Sequence, residues 1–168
     1  MKAILPLTAL VLTLFTACEP NELSDPSGES QPQTTAAAGR LVFGQYYGFC
    51  PSTADCAQVY KLEGDQLYAD ETTRVLGSEA EIAFKASPLP ADKYDLAKSL
   101  ADDVPAELLT ATGEVFGSPD AHDQGGIVLE ITQDGKPKRF YLDNNEAALP
   151  ATLVPYAQRI KRVVAALK

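Results

Sequence analysis

The stretch that decides the fold is residues 127–142, which read IVLEITQDGKPKRFYL. Apolar and polar residues alternate on both sides of the Asp-Gly dipeptide at 134–135, which is the strongest short signal for a two-residue hairpin turn. The register set by this turn places Glu130 opposite Arg139, and opposite charges across two strands stabilise their pairing. The sequence therefore predicts an antiparallel hairpin here, with Pro137 marking a sheet edge in its second strand.

Strand and helix patterns extend from this hairpin in both directions. Residues 40–49 alternate as a strand whose core face would include Tyr47 and Phe49, and residues 57–70 predict a second hairpin. The other predicted elements are a strand over 79–86, a helix over 90–101 with Leu96, Ala97 and Leu100 inward, a helical turn from Pro105 and an amphipathic helix over 151–167. Together they predict an α+β domain, in which a middle helix and the C-terminal helix pack on a small antiparallel sheet of about five strands.

The N-terminus has the pattern of a bacterial export signal. Lys2 precedes an apolar run over 3–15, which is shorter than the roughly 20 residues of a membrane-spanning helix. The small residues at 16 and 17, followed by Cys18, resemble a lipobox, although Phe15 stands where Leu is usual. The resemblance implies a signal peptide over 1–17 and a diacylglyceryl group on Cys18 that anchors the chain to the membrane. The alternative is an ordinary secretory signal followed by an unrelated cysteine.

Residues 18–39 predict a tether between this anchor and the domain. After Cys18 the segment is rich in Pro, Ser, Gln and Thr and has no aromatic residue, so it cannot bury enough apolar surface to offset the entropy of ordering. Residues 40–168 then form a single domain. Glu19 follows the lipidated cysteine, where Asp is the usual signal for inner-membrane retention, so we expect the outer membrane, at its periplasmic face or at the cell surface.

The acidic composition limits the classes of partner. The formal net charge is −9, whereas a nucleic-acid binder shows an excess of basic residues. Anionic lipid headgroups would also repel such a domain, so membrane attachment would depend on the N-terminal lipid. We therefore expect no nucleic-acid partner and no cofactor, and an unidentified envelope protein or ligand as the partner.

The two cysteines of the domain, Cys50 and Cys56, predict a disulfide bond. An even pair in an exported chain is most simply a structural bond. The alternative is a redox or metal-binding pair, but five residues separate these cysteines rather than the two of common redox motifs.

The segment around the single histidine is the main candidate for chemistry. Asp120, His122 and Asp123 could contribute to a metal site or to an acid–base pair. Their neighbours include Pro, Asp and paired Gly, which are typical of turns, so a plain loop is the other interpretation. The sequence contains no further histidine, and no catalytic constellation is evident around this one.

Tyrosines near the cysteines predict a recognition surface. Tyr46 lies beside glycines, and Tyr60 and Tyr68 lie in the second hairpin. Tyrosine offers a large contact area with a polar tip, which suits an interface. We therefore predict partner binding by Tyr46, Tyr60 and Tyr68.

Two glycine-containing motifs carry a family resemblance. The first reads FGQYYGFC over 43–50, and the second reads FGSPDAHDQGG over 116–126. With the C-terminal helix, they resemble small uncharacterised lipoproteins of Bacteroidota-type bacteria over residues 41–168. That family has no established activity, so the resemblance implies an envelope lipoprotein and no particular reaction.

These observations together predict a non-enzymatic binding module that a lipid anchors in the cell envelope. The alternative is a periplasmic or surface enzyme, or a metal-binding sensor, that uses the loop of Asp120, His122 and Asp123.

Overall fold

The computed structural model describes residues 39–49, 56–71 and 81–168. Their strands are β1 (Arg40–Tyr46), β2 (Ala57–Glu63), β3 (Gln66–Ala69), β4 (Val115–Phe116), β5 (Gly126–Gln133) and β6 (Lys136–Asp143). Their helices are α1 (Ala91–Ala97), α2 (Ser99–Asp102), α3 (Ala106–Thr110) and α4 (Val154–Leu167), with 3₁₀ turns at Ala121–Asp123 and Glu146–Ala148. The predicted α+β class is confirmed, and the sheet has one strand more than the expected five.

The six strands form one mixed sheet in the order β3-β2-β1-β5-β6-β4. Neighbouring strands are antiparallel except for β4, which runs parallel to the end of β6. The predicted register of the central hairpin is confirmed, with Glu130 opposite Arg139 and Thr132 opposite Pro137. Because β4 pairs only with residues 141 and 142 of β6, Pro137 lies where no described strand covers β6, as the sequence predicts.

The sheet is buried on both faces around β1. Odd-numbered residues such as Leu41 and Phe43 face the helices, where they pack with buried side chains of α2, α3 and α4. Even-numbered residues such as Val42 and Tyr46 belong to a second, smaller apolar cluster that includes Ile82. Successive side chains of a strand point to opposite faces, so a strand buried on both faces is apolar at most positions.

A charged network lies on the face opposite the helices. Glu130 is almost fully buried, and its carboxylate accepts hydrogen bonds from Nε of Arg139 at 3.1 Å and from its Nη2 at 2.9 Å. Arg40 adds a longer ion pair with Glu130, at 3.6 Å. Two guanidinium groups thus compensate the cost of burying one carboxylate.

Two expected elements differ from the structure. Residues 81–86 form no strand, since Phe84 makes only an isolated bridge with Asp70, while residues 79 and 80 lie outside the described part. Prolines follow closely at 88 and 90 and have no N–H to donate, so regular pairing is interrupted. Single hydrogen bonds to β3 remain, such as that from the Leu89 N–H to the Leu67 carbonyl at 2.7 Å. The predicted helix over 90–101 divides into α1 and α2 at Lys98, and Leu96, expected to face inward, is exposed.

Candidate functional site

Three chain segments meet at one end of the sheet. Tyr46 pairs with Ala57 on one side and with Gly126 on the other, and Gly126 pairs with Asp143. We call the segments at these strand ends, residues 46–49, 117–126 and 143–145, the loop end. It brings together parts of both motifs that carry the family resemblance.

Asp120 connects the two motifs directly. Its Oδ1 accepts the backbone N–H of Gly48 at 2.9 Å and the N–H of Gly125 at 2.9 Å. Its own N–H donates to the Gly125 carbonyl at 2.9 Å. Hydrogen bonds to a carboxylate are about twice as strong as neutral ones. Asp120 therefore holds in place a glycine that lies 72 residues away in the sequence.

Asp143 has a similar role on the other side of the loop end. It is 2% exposed, and its carboxylate accepts the backbone N–H groups of Ser118 and Asn145, each at 2.8 Å. The side-chain amide of Gln124 donates to the same carboxylate at 3.3 Å. These donors compensate the cost of burying the charge. Sequence reasoning missed Asp143, because two of its three partners come from a distant segment.

Two motif glycines allow the segments to approach this closely. A Cβ atom on Gly48 would lie 1.6 Å from Oδ2 of Asp120. Gly125 has a φ of +74°, and a Cβ atom there would lie 2.2 Å from the Tyr46 carbonyl oxygen. Neither position has room for a side chain, so packing by itself accounts for these two glycines.

The loop of Asp120, His122 and Asp123 has left-handed backbone at all three residues. Their φ angles are 61°, 64° and 58°, a region that Asp and His tolerate better than most residues. The Asp120 carboxylate binds backbone N–H groups, and Asp123 is exposed. Across the described ranges, no group of three His, Cys, Asp or Glu side chains is placed to hold a metal ion.

Two of the three tyrosines predicted to bind a partner are buried and offer it little surface. Tyr46 is 6% exposed and contacts Tyr141 edge-to-face, with 5.7 Å between the ring centroids. Tyr60 is 8% exposed and stacks on Phe43 at 5.8 Å. Both belong to inner strands of the sheet, which leave little surface open. Tyr68 is half-buried, and the ammonium group of Lys61 lies 4.5 Å from its ring centroid.

Tyr47 and Phe49 correct the sequence prediction in the opposite direction. Both were expected in the core, yet they are 43% and 72% exposed. The alternation that turns odd-numbered residues inward ends with β1 at Tyr46. Tyr47 still donates its N–H to the Cys56 carbonyl at 2.9 Å, and its ring lies close against Gly125. The loop end thus presents two aromatic side chains beside a well-connected backbone.

The environment of Tyr46 predicts a loss of stability at alkaline pH. Burial, and then the negative charge of Asp120, raise the pKa of Tyr46 to about 12. Above the unfolded pKa of about 10 the unfolded chain loses this proton first. The free energy of unfolding should therefore fall as pH rises from about 10 to about 12, by up to about 1.4 kcal/mol per pH unit.

Urea denaturation over this pH range measures the effect, and Tyr46→Phe should remove part of the slope. Burial also raises the pKa of Tyr156, so a second part of the slope should remain in this variant. An unchanged slope in Tyr46→Phe would contradict the assignment to Tyr46.

Several sequence predictions fall outside the described residues. They concern Cys18, the signal peptide, the tether up to residue 38, and Cys50. Cys56 is buried immediately before β2, but the bond between Cys50 and Cys56 stays a prediction. In the ranges that the structure describes, no helix is both long and apolar enough to cross a membrane.

Comparisons with known protein families, with curated proteins and with solved structures found no match for this chain.

Proposed function

We propose that this chain is a lipid-anchored protein of the bacterial cell envelope, and that it is a non-enzymatic module that binds another envelope protein through Tyr47 and Phe49. The observation that carries the proposal is the exposure of these two aromatic side chains at the loop end. Aromatic residues are enriched in protein interfaces, where they supply much of the binding energy.

The backbone under these side chains supports a binding role. Gly48, which lies between them, donates to Asp120, and Tyr47 donates to the carbonyl of the neighbouring strand segment. A side chain whose backbone is already held loses less conformational entropy when it binds. Tyr47 and Phe49 are therefore suited to act as preformed anchors.

The charge of the protein limits the kind of partner. The chain carries a formal net charge of −9, and Asp123 is exposed in the same loop end. A partner with an apolar pocket surrounded by basic residues would complement both the aromatic side chains and this charge. We expect such a complex to weaken at high salt, since solvent-exposed charge pairs are screened.

Site-specific photocrosslinking in intact envelopes tests the binding surface. A benzoylphenylalanine in place of Phe49 should give a discrete adduct, whereas the same group in place of exposed Leu96 on α1 should not. Excess unmodified protein should compete for the adduct, and excess Phe49→Ala protein should compete poorly. Equal adducts from both positions, or none from position 49, would overturn the proposed surface.

Lipid labelling tests the anchor separately. Cys18→Ser removes the thiol that would accept the diacylglyceryl group, so we expect loss of labelling by a fatty-acid analogue and an uncleaved or soluble protein. Cys56→Ser serves as the control, because it removes a different cysteine and should leave labelling intact. Unchanged labelling and membrane fractionation in Cys18→Ser would refute the anchor.

A further inference from the structure

A groove on the helical layer is separate from the residues of the loop end. It has a volume of about 610 Å³ and lies between the end of α2 and the N-terminal half of α4. Its lining residues are Asp103, Pro105, Thr152, Pro155, Tyr156, Arg159 and Arg162. Small-molecule sites typically have volumes of about 300–1,000 Å³, so the groove is large enough for a ligand.

The polar side chains that line the groove differ in whether they already form a hydrogen bond or an ion pair with another group of the protein. The Thr152 hydroxyl donates to Glu107, and the Tyr156 hydroxyl donates to the Leu100 carbonyl at 2.8 Å. Arg159 forms an ion pair with Asp103. Arg162, one helical turn further along α4, forms no ion pair with any described residue. The groove therefore contains one guanidinium without a compensating carboxylate.

We infer that this groove binds a small organic carboxylate, with Arg162 as its principal contact. A guanidinium group presents several donors in one plane and can bind a carboxylate through two parallel hydrogen bonds. Pro105 and Pro155 line the same groove and offer apolar contact to the body of the ligand. The site is thus suited to a compact apolar acid rather than to an inorganic anion.

Asp103 is expected to weaken carboxylate binding in the groove. Because its carboxylate occupies Arg159, it competes with a ligand for that guanidinium and also repels a ligand at Arg162. Its removal should therefore strengthen carboxylate binding, whereas removal of Arg162 should weaken it. A groove residue with a purely structural role would not produce these opposite shifts.

Side-chain NMR of the full chain in a nonionic detergent tests the site. The sequence has five arginines, so their Nε–H signals are few enough to assign by substitution. Cyclohexanecarboxylate should shift the Arg162 signal saturably, whereas neutral cyclohexanecarboxamide and inorganic phosphate should not. Both organic probes have the same ring, so their difference isolates the charge.

Variants complete the test. Arg162→Gln should weaken cyclohexanecarboxylate binding about tenfold, as expected for loss of a charged hydrogen-bonding partner. Because this variant lacks the Arg162 signal, its titration is followed on the Nε–H signal of Arg159, which lines the same groove. Asp103→Asn should strengthen it, and Lys136→Gln, a charge-matched change in the distant β5–β6 hairpin, should leave it unchanged. The inference is overturned by equal shifts with the acid and the amide, by a phosphate shift as large as that with the acid, or by unaltered affinity in Arg162→Gln.

Discussion

Asp120→Ala is expected to lower the free energy of unfolding by about 3 kcal/mol. The substitution removes the acceptor of two backbone N–H groups, those of Gly48 and Gly125, and each hydrogen bond to a charged group contributes about 1.5–3 kcal/mol. It also places alanine at a φ of 61°, where alanine is less favourable than aspartate. Denaturation of the full chain by guanidinium chloride measures the loss.

Asp123→Ala is the matched control for this prediction. It changes the same residue type in the same loop, at a φ of 58°, but Asp123 is exposed, and its side chain makes no hydrogen bond with the described residues. We expect a loss below about 1 kcal/mol there, within the usual range for a surface change with some backbone strain. Equal losses in the two variants would show that the Asp120 carboxylate does not hold the loop end.

Gly125→Ala is expected to lower the free energy of unfolding about as much as Asp120→Ala, because the added side chain has no room. The new Cβ atom would lie 2.2 Å from the Tyr46 carbonyl oxygen and 2.6 Å from Cδ1 of Tyr47, so the chain segments must move apart. The energy needed for this displacement and the cost of a positive φ together should lower the free energy of unfolding by about 3 kcal/mol or more. Because Tyr47 must move, the adduct formed through position 49 should also decrease.

Gly135→Ala separates the steric effect from the backbone effect. Gly135 has the same φ, +74°, but nothing lies within 4 Å of its Cβ position. Only the left-handed backbone is then unfavourable, at about 1–2 kcal/mol. Thermal or chemical denaturation should rank Gly125→Ala well below Gly135→Ala in stability. The same loss in both would mean that the contact with Tyr46 and Tyr47 relaxes easily.

Local signals predicted the parts of the fold that depend on neighbouring residues. Asp134-Gly135 specified a hairpin whose strand register is confirmed, and the second hairpin predicted over residues 57–70 forms and pairs Leu62 with Leu67. Both depend on a tight turn and on the period-2 alternation around it. The C-terminal helix likewise follows from its apolar stripe, with Pro155 in its first turn.

The alternation of apolar and polar residues gave a misleading prediction at the end of β1 and gave no information on how its two faces are covered. It placed Tyr47 and Phe49 in the core because it cannot show that β1 stops at Tyr46. It cannot show which strands flank β1, so it did not predict that Tyr46 is buried. Periodicity states only that two residues lie on opposite faces, and tertiary packing decides which faces are covered.

The sequence by itself determined the α+β class, the two hairpins with their registers and the C-terminal helix, because these follow from interactions between residues close in the chain. Tertiary structure alone decided the loop end. Asp120 meets Gly48 across 72 residues, and Asp143 meets Ser118 across 25. Such contacts exist only once β1, β5 and β6 lie side by side, so no local pattern encodes them. The exposure of Tyr47 and Phe49 likewise follows from where that assembled sheet ends.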